Sequence, residues 1–353
     1  MQRIAAKSSQ AQAAYELVTS LQQRFVERLQ QVSQRNSPNQ QFAAIEWFRA
    51  QGRHGGGMRY VTDDKAVFNQ ASVNVSQVQY DADDAKALAS ATALSSIIHP
   101  HHPLAPSVHL HVSWTEMKNG HGYWRVMADL NPAIENVQHT ARFKAALETA
   151  ASQNLDNQQL AAAFAQGDRY FYIPALARHR GVCHFYLENF YTDDAKADTT
   201  LADYVMRQVI DTYAGLLGDA SLETPISPEQ ARQQRDYHSL YCFQVLTLDR
   251  GTTSGLLVHD ENDIGILGSL PRYVDKALMQ SWQSQMPTPQ HELLTSLVDC
   301  LPPLASVGSG SLIDDTVKKA LATAVRAHYK QHPEALALQA SGDVIPPTVA
   351  NHR

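Results

Sequence analysis

The chain has few of the ingredients that would place it outside a reducing, aqueous compartment. It holds three cysteines in 353 residues, Cys183, Cys242 and Cys300. The number is odd, the spacing is wide and no CxxC occurs. A disulfide scaffold and a thiolate zinc site are therefore excluded, and a cytoplasmic location is expected. No stretch approaches the ~18 to 20 apolar residues of a membrane span. The opening Met1-Gln2-Arg3-Ile4-Ala5-Ala6-Lys7 lacks the apolar core of a secretory signal. With a formal charge of −6, there is no bulk electrostatic case for nucleic acid or an anionic membrane as partner. The spacings GxGxxG, P-loop, HExxH, EF-hand and zinc finger are missing. What is present is globular, at 44% hydrophobic and 18% charged residues. The unusual count is histidine, 16 against 29 Lys plus Arg.

Periodicity supplies an outline. Leu17, Leu21, Phe25 and Leu29 recur every four residues and predict an amphipathic helix over 8–35. A second helix is expected over 40–50, around Phe42, Ile45 and Trp47. From Gly55-Gly56-Gly57 the pattern changes to short β segments, expected near 57–62, 72–80, 94–99, 107–115, 122–130, 182–189, 240–250 and 264–269. Helices are expected at 138–165, at 200–217 with Thr200 as cap and Asp203 at capping-box spacing, and from Ile313 to Tyr329. Residues 339–353 read as a loose tail, and no linker divides 1–338. The outline is one α+β domain with a mostly antiparallel sheet.

Chemistry concentrates in the run from His99 to Trp114. His109, His111 and Ser113 alternate with Val108, Leu110 and Val112, so the polar residues share one face of a strand. Two imidazoles at i and i+2 converge on one point, where they could share a metal or flank a substrate. The plainer alternative is a solvated sheet face. Asp129, ending the next strand, could orient a histidine or act as a base, although most such aspartates only cap turns. His184 lies in an otherwise apolar strand and reads as a satisfied core histidine unless its face meets that of His109. Gly55-Gly56-Gly57 might cradle an anion, and the Ser/Gly run 306–311 reads as a loop.

Several short motifs, in order and at matching spacing, are similar to oxygen-dependent coproporphyrinogen III oxidases over roughly 40–275. They are Gly55-Gly56-Gly57 with Val67-Phe68-Asn69-Gln70-Ala71-Ser72-Val73-Asn74-Val75-Ser76; Ser95 before His99-Pro100 and the run ending His109-Leu110-His111-Val112-Ser113; and Asp129-Leu130-Asn131-Pro132. Tyr170-Phe171-Tyr172, Arg180-Gly181, Asp249-Arg250-Gly251-Thr252 and Ser269-Leu270-Pro271 follow. The resemblance implies a flat antiparallel sheet of about seven strands sandwiched between helices, and a homodimer. It also implies O2-dependent oxidative decarboxylation of a small-molecule substrate, with O2 as oxidant and no organic cofactor.

The departures bear on the substrate. Ser113 stands where the family pattern has arginine, and Asp260-Glu261-Asn262 where it has Gly-Gly-Arg. Those arginines are expected to grip carboxylates as bidentate forks. Arg125-Val126-Met127-Ala128-Asp129 adds bulk where the pattern has a glycine run. Of four family histidines assigned to a metal, His99 and His109 match, the third falls at Gln138 or His139, and the fourth at Ala175. The expectation is therefore an oxidase or oxygenase of a molecule other than coproporphyrinogen, using a mononuclear Fe, Cu or Mn ion held by His99, His109, His111 and His184. Asp129 or Glu188 would add a carboxylate. His109 and Asp129 are the expected proton-transfer residues, with Ser95, Arg125, Arg180 and Arg250 binding substrate. The alternatives are a cofactor-free oxidase, including a divergent coproporphyrinogen oxidase, and a non-catalytic tetrapyrrole or metal binder.

Overall fold

A computed structural model describes residues 2–36, 40–220, 223–304 and 310–340. Its centre is a seven-stranded antiparallel sheet, β1 (Ala43–Phe48), β2 (Gly55–Val61), β3 (Phe68–Gln79), β4 (Leu88–Pro100), β5 (Ser107–Met117), β6 (Gly122–Asn131) and β7 (Cys183–Phe190), in that spatial order. The sheet is the expected α+β architecture. Because side chains alternate across a strand, it has two faces of different chemistry.

One face is apolar. Val73, Val75, Leu94, Leu110, Val112, Val126 and Phe185 are buried on it. Three helices cover it: α1 (Ser9–Asn36), α2 (Val137–Ala151) and α4 (Ala195–Asp219). Leu21, Phe25 and Leu29 of the expected stripe are fully buried, while Leu17 packs at its margin. The other face is polar and is roofed by α5 (Pro228–Thr247), α6 (Arg250–Val258), α7 (Gln290–Cys300) and α8 (Asp315–Gln331), which enclose a second apolar cluster. Between α2 and β7 lies α3 (Asn157–Phe171), which packs on β7.

Several boundaries differ from the sequence pattern, for identifiable reasons. Residues 43–48 form strand β1, not a helix: Ile45 pairs with Arg59 and Trp47 with Gly57, and aromatic and β-branched residues suit a pleated edge. The expected strand 240–250 is the end of α5, whose Ser227/Gln230 capping box and Pro228 start the helix. Its all-round burial erased the amphipathic signal. The expected strand 264–269 is a pair of helical turns, Asp263–Ile266 and Leu267–Ser269. The single helix expected over 138–165 is broken at 152–156, where Asp156 caps α3 with a reciprocal box to Gln159. Asp194 caps α4; Thr200 donates to the Lys196 carbonyl and Asp203 pairs with Arg207. Gly55-Gly56-Gly57 belongs to β2, and the space a side chain would take is used by the fold: a Cβ on Gly57 would come within 2.6 Å of the Trp47 ring. Residues 306–309 and 341–353, parts of the expected loop and tail, lie outside the described residues. Ser311 pairs with Val274 in a short ladder. Gln339 and Ala340 are tied down, the latter donating to the Leu248 carbonyl.

Candidate active site

The polar face places its residues in rows by register. Ser72, Ile97, His109, Asp129 and His184 stand side by side across five strands. The next row is Arg59, Asn74, Ser95, His111, Met127 and Tyr186. Beyond it Ser113 lies directly opposite Arg125. Between this face and α3, α5 and α6 is a cavity of about 250 Å³ lined by Ser95, His109, His111, Arg125, Arg180 and Arg250, among others. A smaller cavity adjoins it at His111, Ser113 and Arg125.

At one end His109 Nδ1 is 2.7 Å from Asp129 Oδ1. The other carboxylate oxygen accepts from Arg180 at 2.6 Å and from Asn131 Nδ2 at 2.6 Å. Asp129 is completely buried. Burial alone would raise its pKa, but Arg180 and His109 outweigh that and hold the carboxyl below its ordinary range. A buried carboxylate that accepts an N–H from Nδ1 fixes the imidazole's orientation and leaves Nε2 as the ring nitrogen available to the cavity. Arg180 is itself pinned. It donates to Gln244 Oε1 at 2.8 Å, and its guanidinium carbon lies 4.4 Å from the Phe171 ring centre and 4.8 Å from that of Tyr241. It stands behind Asp129 as an orienting charge, and it also lines the cavity, with its Nε buried and without a hydrogen-bond partner among the described residues.

At the other end Glu188 accepts from Arg250 and, at 2.8 Å, from the Tyr186 hydroxyl. Arg250 Nη1 and Arg125 Nε are buried without a hydrogen-bond partner among the described residues. Arg125 is enclosed. Burial opposes its charge, but Tyr186 and Glu188 offset this and keep it protonated. Arg59, which the sequence reading passed over, adds a further orphaned donor: its Nη1 lies 2.2 Å from where a Cβ on the cavity-lining Gly265 would sit.

The expected four-histidine metal set is not assembled. His99 is fully buried, with Nδ1 3.0 Å from Ser107 Oγ and Nε2 3.2 Å from the Ser269 carbonyl. His184 does share the face of His109, but its Nδ1 meets Asp168 and its Nε2 the Arg180 carbonyl, both at 2.7 Å. Glu188 is taken by Arg250 and Tyr186. What remains is His109 and His111, fewer donors than a mononuclear site requires. Among the described residues no group of three or more His, Cys, Asp or Glu is placed to hold a metal ion. His111 is neutral. Burial, then Arg125 and His109, push its pKa well below the ordinary range, and its Nε2 lies 3.1 Å from Ser113 Oγ. Cys183 faces the apolar side, its thiol pushed up to about 12 by burial, and offers no nucleophile. No described helix is long and apolar enough to cross a membrane.

Comparison with known proteins decides the lineage. The family model for coproporphyrinogen III oxidase matches residues 13–300. The chain belongs to that family. Curated relatives named oxygen-dependent coproporphyrinogen-III oxidase include the human mitochondrial protein, 26% identical over 65% of this chain and 54% of its own length. The Dictyostelium discoideum protein is 28% identical over 59% of this chain and 61% of its own length. That of Rickettsia akari is 26% identical over 65% and 83%. The match to the human protein thus spans just over half of that protein's length. Ser113, where the resemblance implied an arginine, lies directly across from Arg125 on the neighbouring strand. Met127, also on the cavity, occupies space the pattern leaves to glycine.

Proposed function

We infer that this coproporphyrinogen oxidase homologue is an O2-dependent oxidase that decarboxylates an electron-rich, carboxylate-bearing substrate of the reduced-pyrrole kind. The observation that carries this reading is the set of buried guanidinium donors without acceptors among the described residues, on Arg125, Arg180 and Arg250, which line the cavity that ends in His109 and Asp129, with Arg59 behind the lining Gly265. Buried donors are rarely left unsatisfied, and a guanidinium fork matches a carboxylate. In the reaction that the family resemblance implies, a propionate side chain loses CO2 and two electrons to O2. RCH2CH2COO− with O2 and H+ becomes RCH=CH2, CO2 and H2O2. His109 Nε2 is positioned to take or return a substrate proton, while Asp129 and Arg180 hold the ring. No step is routed through a metal, because the histidines present do not form a site for one.

The substrate is proposed to be smaller, or less acidic, than coproporphyrinogen. Arg125 and Met127 fill the face on which a flat macrocycle would lie, and the enclosed volume is about 250 Å³, at or below the ~300 Å³ lower end of ordinary ligand sites. The test is O2 uptake and CO2 release with coproporphyrinogen III and with a monopyrrole carrying acetate and propionate arms. Turnover of the smaller acid at one O2 per CO2 is expected. Arg125→Gln should raise its KM by about ten- to a hundred-fold, the loss of one or two charged hydrogen bonds. Absence of O2 uptake with every reduced pyrrole would reject the reading.

A homodimer and a cytoplasmic setting accompany this reading. The first is supported by the free outer edge of β1, where Ile45 is exposed. The second is supported by the three unpaired thiols. Light scattering should give twice the 39.1 kDa chain mass; a monomer at micromolar concentration would refute the dimer.

A further inference from the structure

A second cavity, of about 300 Å³, shares no lining residue with the first. The two are separated by a pair of buried imidazoles. His99 lies edge-on to His238, which lines the second cavity, and to Tyr241, which lines the first. The walls of the second cavity bring together Lys65 from the β2–β3 connection, Arg235 from α5 and Arg272 from the segment after the helical turns, with His101 beside them. No aspartate or glutamate lines it.

Acidic residues adjacent in sequence are engaged elsewhere. Asp64 is buried and accepts from Ser33 and from the Ala66 amide. Asp236 pairs with Arg232 at 2.6 Å and, beyond ion-pair distance, also feels the charge of Arg235. Asp275 caps a helical turn by accepting from the Leu278 amide at 3.0 Å. The Gln234 amide is donated to the Pro100 and His101 carbonyls. Among the described residues no carboxylate lies within ion-pair distance of Lys65, Arg235 or Arg272; the polar-side contact of Arg272 is the Tyr273 ring, 5.8 Å away. Three like charges converging from distant parts of a chain of net charge −6 repel one another. That arrangement is favourable when a counter-anion neutralises it, and two guanidinium forks with one ammonium match an oxyanion of more than one charge.

We propose that this cavity is a binding site for a small multivalent oxyanion, phosphate or polycarboxylate, distinct from the oxidase cavity. It stands whether or not the proposed reaction is right. The test is calorimetric titration of the full chain with inorganic phosphate, pyrophosphate and citrate at constant ionic strength, with chloride as control. One-to-one binding of at least one probe is expected, weakened tenfold or more in R235Q/R272Q and less in the exposed-site variant Lys65→Gln. Tight phosphate or pyrophosphate would identify a phosphorylated ligand; citrate alone would identify a carboxylate one. The proposal falls if no probe binds above the chloride control. It falls equally if R235Q/R272Q and Lys65→Gln both bind like wild type, or if binding is lost only in Arg125→Gln, which would put the anion in the oxidase cavity.

Discussion

Asp129→Ala is expected to lower stability by about 3–5 kcal/mol and to abolish turnover. The variant leaves the Arg180 guanidinium, 2% exposed, without its counter-charge, and frees the ring of His109. Asp129→Asn should cost less, because it keeps the shape and the Asn131 contact. The pH dependence has a definite sign. The carboxyl's folded pKa lies below its unfolded value, so its contribution is fully present above about pH 4 and is lost as pH falls towards the folded pKa. Urea unfolding of wild type should therefore weaken steeply below about pH 4, and the Asp129→Asn curve should be flatter there. Equal midpoints for wild type and Asp129→Ala at pH 7 would show that Arg180 has another counter-ion.

His109→Ala should reduce the rate of O2 uptake by about 10²- to 10⁴-fold, the usual worth of a positioned proton-transfer group. The melting curve should change little. The ring sits on the cavity, and its removal leaves Asp129 paired with Arg180 and Asn131. His111→Ala is also expected to lose activity, through the neutral imidazole beside Arg125 and Ser113 rather than through the Asp129 relay. Full activity in His109→Ala would remove it from the reaction.

The polar sheet face was legible in the sequence wherever strict alternation marked it, as at His109, His111 and Ser113, because period two is the direct imprint of a half-buried strand. That Asp129 could orient a histidine was also legible; that the histidine is His109 follows from the strand register. What could not be read was where each ring nitrogen goes. His99 and His184 look like ligands in one dimension, yet each spends both nitrogens on neighbours such as Ser107 and Asp168 that only the folded packing supplies. The helices α5 and α6 were hidden for a related reason. A helix buried on all sides over Tyr237 to Thr247 carries no amphipathic stripe, and its aromatic-rich stretch imitates a strand. Arg59 was missed because a single arginine in a glycine-rich strand has no periodic signature; its meaning comes from the row it shares with Asn74 and Ser95.

The two-faced sheet has an evolutionary corollary. Alternate residues answer to different selective demands: one set to the packing against α1, α2 and α4, the other to whatever lies in the cavity. Ser113 and Arg125 face each other across β5 and β6 on the cavity side. A substitution at either changes the charge there and leaves Val112 and Val126, on the opposite side, undisturbed. A scaffold built this way lets substrate preference drift one residue at a time, with each intermediate still folded.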